Sequence, residues 1–338
     1  MKVKKLIMAW IMVITLSIFK NVSATDVDAD VDADVDADKV YQKVLLSHDR
    51  SISIPLVEVP DEDWVRMMNP TRVNINPSVT YNIFTITKAK SLRSKMSAVK
   101  DQDPRGTCNV FAATALLEYD LGIRISEQCL AKLSSDEDAG TVEERVTFAM
   151  SHGVFTENQC PYNADRDEIP RSIQESCLWI IRWPRPGLLC NSLEIKQKYF
   201  FYTQGDNSIA TIKKAIDQGK PISVAVYTST PLWDDPYIDE QGEKRRLPPS
   251  TVIDMPTADV IEKYCHEKKD SVNPRSRKKE CATHAIVVTG YDDNTQTLEF
   301  KNSWSSRWRD GGYGKMTYEY FLHMRVSNRN HVSSADIE

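Results

Sequence analysis

Apolar residues in the first half of this chain recur at helical spacing, whereas in the second half they run together in short, β-branched stretches. Past Cys108, the residues Val110, Phe111, Thr114 (by its methyl), Leu117 and Leu121 fall three and four apart, and Gly122 can close that helix in a left-handed cap. Thr141-Val142-Glu143-Glu144 reads as a capping box for a helix through Val146, Phe148 and Ala149 to Gly153. Ser208 caps a third helix, with Ile209, Ile212, Ala215 and Ile216 on one face and Gly219 and Pro221 ending it. Strands are predicted at 221–227, 285–291, 298–304 and 313–318. Residues 163–207 are rich in Pro, Trp and Tyr and show no clear period. Helices first and strands second predict an α+β chain of two subdomains with a cleft between them.

The N-terminal third reads differently. Lys2, Lys4 and Lys5 precede an apolar run from Leu6 to Phe19 and then Val22-Ser23-Ala24, the pattern of a secretory signal peptide cleaved after Ala24. The run is short for a membrane span, so no stable membrane association is expected after cleavage. Residues 25–38 carry a Val-Asp-Ala-Asp repeat with seven aspartates and no base, which reads as a flexible acidic linker rather than a calcium ladder, since it has no turning glycine and no bidentate Glu. Without the signal segment the chain has 39 bases against 48 acids, and without the seven aspartates the remainder is near neutral at −2. No nucleic-acid partner is indicated. Residues 39–96 hold extended runs at 52–59 and 79–86 punctuated by prolines 55, 60, 70 and 77; they read as a structural extension or a short prosegment.

Chemistry points to Cys108, at the start of its helix. Unpaired backbone N–H groups and the positive end of the helix dipole favour a thiolate there. A free cysteine is usually a small buried hydrophobe. What raises Cys108 above that reading is Gln102, whose side-chain amide, with the Cys108 N–H, can hold an oxyanion. Among six histidines, His48, His152, His266, His323 and His331 read as solvated or capping residues, while His284 opens the buried run 285–291. Asn302 lies 18 residues further on, at the end of the next strand; its amide oxygen can accept the imidazole N–H, and Trp304 can shield that bond from water.

Gln102 to Cys108, Thr283-His284-Ala285 and Lys301-Asn302-Ser303-Trp304 resemble the three active-site blocks of the papain-like cysteine peptidases. Ile125-Ser126-Glu127-Gln128, the stretch from Gly153 to Pro161-Tyr162 and Pro221-Ile222-Ser223-Val224-Ala225-Val226 match further blocks in order. The resemblance implies a papain-like fold, with Cys108, His284 and Asn302 catalytic, Gln102 and Cys108 forming the oxyanion hole, Trp304 in support, and Gly140 and Ala285 on the substrate-binding wall. It implies protein or peptide substrates and no metal or organic cofactor.

Departures are specific. Arg105 stands where the family has a disulfide-forming cysteine, Asn109 where it has a Trp, and Ser305 and Arg309 where it has glycines. Asp138-Ala139-Gly140-Thr141 keeps only one glycine of a substrate-pairing segment. Cys108 and His284 are 176 positions apart, a separation lengthened by an insertion at 228–283 that reads as a solvated loop bordering the leaving-group side of the cleft. The remaining organisation is a peptidase domain at 97–330, helical over 97–207 and mainly β over 208–330, with a tail at 331–338. With Cys108 free, six cysteines remain, which suits an oxidising compartment. Of fifteen pairings, we favour Cys129 with Cys160, Cys177 with Cys190 and Cys265 with Cys281; a zinc site at Cys265, His266 and Cys281 lacks a fourth ligand. The expectation is a secreted or periplasmic cysteine peptidase. The alternatives are an acyl transferase or deamidase with the same triad, or an inactive binding protein of the same fold.

Overall fold

The computed structural model describes residues 41–46, 50–70, 89–134, 140–163, 168–180, 187–190, 192–202, 208–234, 237–238, 244–245, 247–269 and 277–334. The expected signal segment, the acidic repeat and the extended run at 79–86 lie outside them. The chain divides into Met1–Asp38 and Lys39–Glu338, and every element below belongs to the second unit.

A hairpin of β1 (Tyr41–Leu46) and β2 (Arg50–Glu58) leads to α1 (Asp61–Met68) and the short strand β3 (Ala89–Ser91). The helices α2 (Cys108–Leu121), α3 (Glu127–Leu133), α4 (Val142–His152) and α5 (Arg171–Ser176) follow, then the hairpin β4 (Cys177–Ile180) and β5 (Gly187–Cys190), and β6 (Tyr199–Tyr202). Next come α6 (Ile209–Asp217) and β7 (Ile222–Tyr227). The insertion holds β8 (Tyr237–Ile238), β9 (Lys244–Arg245), β10 (Val252–Ile253), α7 (Ala258–Tyr264) and β11 (His266–Lys269). The chain closes with β12 (Arg277–Asp292), β13 (Thr297–Lys301), β14 (Tyr313–Thr317), α8 (Tyr318–Met324) and β15 (His331–Ser334). The α+β class expected from the hydrophobic pattern is observed, with most helices between Cys108 and Asp217 and the long strands of the main sheet after them.

The caps explain the helix boundaries. Gly122 ends α2 at φ 66° with its N–H on Glu118 O, and Thr141 and Glu144 form the reciprocal box that opens α4. Ser208 accepts from the Thr211 N–H at the start of α6. On α2, every side chain from Cys108 to Glu118 is buried, so this helix has no solvent face over its first three turns.

The main sheet runs β10-β14-β13-β12-β7-β15-β6. Its backbone is β12, which pairs in turn with β11 and β2 near its start, with β7 over 283–288, and with β13 and β3 near its end. Alternation along β12 divides the core. Ile286 and Val288 join the cluster that includes Ile212 and Phe321, whereas Ala285 and Val287 join the one that includes Cys108 and Leu117. Gly290 is required by close approach, since a Cβ there would sit 2.6 Å from Lys90 O of β3.

Several expectations are corrected. The strand carrying His284 begins at Arg277, not at 285, so His284 lies within it. Its polar first half pairs because β11 folds back on it and β2 adds to it, with Cys265 and Cys281 joined by a disulfide at the base. That bond removes the thiols a zinc site would need. The predicted strand 298–304 stops at Lys301. Residues 331–334 do not trail away; they form β15 between β7 and β6. Consequently His331 is fully buried, and His323 is buried on α8, contrary to the solvated reading of both. Nor is the insertion a wholly solvated loop, for it buries Trp233, Ile253 and Ile261. Cys129 and Cys160 are bonded as expected. Cys177 and Cys190 stand opposite each other in the β4–β5 register, their side chains lying outside the described ones.

Candidate active site

Cys108 is the first residue of α2, is 6% exposed and is the free cysteine among the described residues. Its helix packs on β12 through the cluster that also holds Ala285 and Val287, which follow His284 along that strand. The opening of α2 leaves N–H groups without intrahelical acceptors, and Thr107 supplies no side-chain cap. The helix therefore presents partial positive charge where the sulfur sits.

His284 is held opposite Val226 of β7 and is 1% exposed. Its Nε2 lies 2.7 Å from Asn302 Oδ1, so this nitrogen is the donor of the pair. Nδ1 has no hydrogen-bond partner among the described residues. Burial pushes the imidazole down to about 4, and the bond to Asn302 opposes that shift. Trp304 lies over the ring at 4.6 Å between centroids and 32° between planes, so water is kept from the His284–Asn302 bond.

Asn302 follows β13 directly, its N–H bonded to Gly312 O, and its Oδ1 also accepts from Ser303 N–H at 2.8 Å. The segment around Gln102 lies antiparallel to the one after Asn302. Gln102 N–H donates to Ser303 O at 2.9 Å, Asp101 bridges to Trp304, and Ser303 Oγ–H donates to Gln102 Oε1 at 2.6 Å. One Nε2 hydrogen of Gln102 goes to Arg105 O at 2.9 Å. The amide carries a second hydrogen. Gln102, Asn302 and Trp304 are thus tied by backbone as well as side chains.

The two wall residues differ. Ala285 is buried in the cluster that also includes Cys108. Gly140 is exposed ahead of the α4 cap at φ 100°, and its Cα faces Glu144 and Arg145. The structure gives it a capping reason to be glycine.

Two groups around the site were not legible in the sequence. Trp233, from the insertion, sets its ring edge-on to His284 and packs on Trp304, Phe300 and Trp308. Behind the helix, Lys100 Nζ lies 2.7 Å from both Glu118 Oε1 and Glu127 Oε1, while Lys301 donates to Ser97 Oγ. Burial lowers Lys301 to about 8 and raises the carboxyl of Glu127. The only sequence signal for Trp233 was an aromatic in a polar insertion.

Residues 254–333, which hold His284, Asn302 and Trp304, match the model of the papain family cysteine proteases. Over this stretch the chain is similar to the papain family cysteine proteases. An uncharacterized peptidase C1-like protein of Acanthamoeba polyphaga mimivirus is 22% identical over 263 residues, covering 73% of this chain and 72% of that one. Among solved structures, digestive procathepsin L 3 of Tenebrio molitor superimposes with a TM-score of 0.46 at 18% identity, over 80% of this chain and 77% of that one. Xylellain, a cysteine protease from Xylella fastidiosa, gives 0.47 at 18% identity, over 75% and 88%. The chain departs from the papain-like pattern in sequence at Ser305 and Arg309. At Ser305 and Arg309, where the pattern has glycine, the chain keeps the left-handed conformation with φ of 66° and 47°.

Proposed function

We propose that this peptidase hydrolyses peptide bonds through Cys108, His284 and Asn302. The observation that carries the reading is the buried 2.7 Å bond to Asn302 Oδ1 from His284 Nε2, on the strand β12 against which the helix headed by Cys108 packs. With Nε2 committed, Nδ1 faces the task of exchanging a proton with the Cys108 thiol. Burial alone disfavours an imidazolium at His284; a Cys108 thiolate, itself stabilised by the dipole of α2, would offset that cost.

The thiolate of Cys108 attacks the substrate carbonyl carbon, and the carbonyl electron pair moves to oxygen. Gln102 Nε2–H and the Cys108 N–H stabilise that oxyanion. As the C–N bond breaks, His284 passes its proton to the leaving amine, leaving a thioester. Water then attacks with His284 as base, releasing the acid and restoring the thiol. Asn302 holds the imidazole plane, and Trp304 keeps water from the bond between them. Ala285 and Gly140 are proposed to border the substrate. Secretion is supported by the lysine-led apolar run at 1–24 and by the disulfides Cys129–Cys160 and Cys265–Cys281.

The test is mass spectrometry of the mildly reduced protein after reaction with a thiol-alkylating epoxide, alongside a casein digest and a Cys108→Ala control. One modification at Cys108, with cleavage abolished in the variant, supports peptide hydrolysis. Modification without cleavage of any protein substrate favours acyl transfer. An unmodified Cys108 overturns the reading.

A further inference from the structure

Arg105 takes the place of the cysteine that, in the papain-like pattern, ties the nucleophile loop down covalently. Here the loop is gripped without a covalent bond. The Arg105 N–H donates to Gln102 O at 3.0 Å, and Arg105 O accepts from Gln102 Nε2, so the two residues close a turn on each other. The guanidinium donates from Nη1 to Gln128 Oε1 at 2.9 Å and to Asn163 O at 3.5 Å, and stands over the Tyr162 ring at 5.5 Å. Tyr162 O–H in turn donates to Gln102 O at 2.7 Å.

The two sides of this grip belong to segments far apart in sequence. Gln128 lies on α3 next to Cys129, and Tyr162 and Asn163 follow Cys160. Cys129 and Cys160 are joined by a disulfide, and Ser126 Oγ–H also donates to Cys160 O. The disulfide therefore closes the jaws between which Arg105 is inserted.

We propose that Arg105 is a positioning residue for Gln102, aiming its free amide hydrogen at the developing oxyanion, and that the Cys129–Cys160 disulfide acts through Arg105 to the same end. This rests on the peptide-hydrolysis reading. It goes beyond it by placing oxyanion alignment under the control of a disulfide formed outside the nucleophile loop.

The experiment compares wild type, Arg105→Ala and Arg105→Lys by three readouts. Peptide hydrolysis by Arg105→Ala is expected to lose about tenfold or more in kcat with KM held within about twofold, because only transition-state binding is affected. Affinity for a peptide aldehyde, which forms a tetrahedral adduct on the thiol, should fall by a similar factor. Alkylation of Cys108 by iodoacetamide needs no oxyanion hole and should stay within about twofold of wild type. Lys keeps the charge without the planar fork and should restore little. Hydrogen exchange at residues 102–108 gives a readout independent of activity, with faster exchange expected in Arg105→Ala. A Cys129→Ala, Cys160→Ala double variant should show the same signature, and combining it with Arg105→Ala should add less than the product of the two effects. Equal kcat and equal exchange in Arg105→Ala would overturn the proposal, as would parallel loss of alkylation, which marks a general structural role. A wild type that is alkylated but cleaves no peptide and binds no aldehyde overturns peptide hydrolysis itself.

Discussion

Trp233 sets the edge of its indole against His284, with ring centroids 5.8 Å apart, and fixes its own orientation by donating Nε1–H to Tyr320 Oη at 2.7 Å. The side chain comes from the insertion, is 1% exposed and packs at once on Trp304, Phe300 and Trp308. Replacing it with Ala empties the centre of this aromatic cluster and is expected to cost about 3–5 kcal/mol. Trp233→Phe keeps the packing but drops the bond to Tyr320, costing about 1 kcal/mol. Urea unfolding of the two variants checks both values. Activity should survive in the Phe variant and fall in the Ala variant, as His284 loses one of its walls.

Asn302→Ala removes the acceptor for His284 Nε2 and leaves that nitrogen buried without a partner. The ring is then free to turn. A misplaced catalytic group costs about 10²-fold in rate, and the loss should appear in kcat rather than KM. Steady-state kinetics on a peptide substrate measure the division. Asn302→Asp places a carboxylate beside the imidazole and should raise the pH at which His284 loses its proton, shifting the alkaline limb of the rate profile to higher pH.

Two buried histidines make stability acid-sensitive. Burial lowers His284 to about 4 and His331 to about 3, and the charge of Arg325 pushes His331 the same way. Unfolded histidine titrates near 6.5. As pH falls below that value the unfolded chain takes up protons that the native chain refuses, so the stability these residues contribute is present above about 6.5 and lost as pH falls towards 4 and 3. His331 is the cleaner probe, since neither ring nitrogen has a hydrogen-bond partner among the described residues and it lies on β15, outside the proposed triad. In His331→Leu the difference in unfolding free energy between pH 7 and pH 4.5 should shrink by about 2 kcal/mol. Denaturant titrations at the two pH values provide the measurement.

Ser305 holds a left-handed backbone at φ 66° directly after Trp304. For a residue with a Cβ that conformation costs about 1–2 kcal/mol, partly offset against glycine by the smaller entropy of the unfolded serine. Ser305→Gly is therefore expected to raise stability by about 0.5–1 kcal/mol. Thermal unfolding should show a higher midpoint with catalytic rates retained. A lower midpoint would mean that Ser305 Oγ, which accepts from Arg307 N–H, matters more than the backbone.

Much of the helical half was legible because its signals are local. The capping box at Thr141, the glycine at 122 and the serine at 208 act within a few residues of themselves, and each appears where its neighbours predict it. The strands were legible only in their apolar parts. Residues 277–283 have the composition of a charged loop, yet they are strand because β2 and β11 lie beside them. His323 and His331 were misread for the same reason. Nothing near them in sequence says that β15 will be inserted next to β7, or that α1 will pack where Arg66 and His323 exchange backbone and side-chain bonds.

By itself the order of residues determined the caps of the helices bounded by Gly122, Thr141 and Ser208, that the chain is α+β, and which cysteine, histidine and asparagine stand in blocks spaced as in the papain family. These follow from capping, period and residue chemistry, which are short-range properties. Only the tertiary structure decided that His284 Nε2 meets Asn302 Oδ1 and that Ser303 holds Gln102. It also decided that Trp233 walls the imidazole and that Arg105 is clamped beside a disulfide. Those contacts join residues from 18 to more than 200 positions apart. They exist because β12 collects partners from both ends of the chain, and pairing of that range is set by the packing of whole faces rather than by any local pattern.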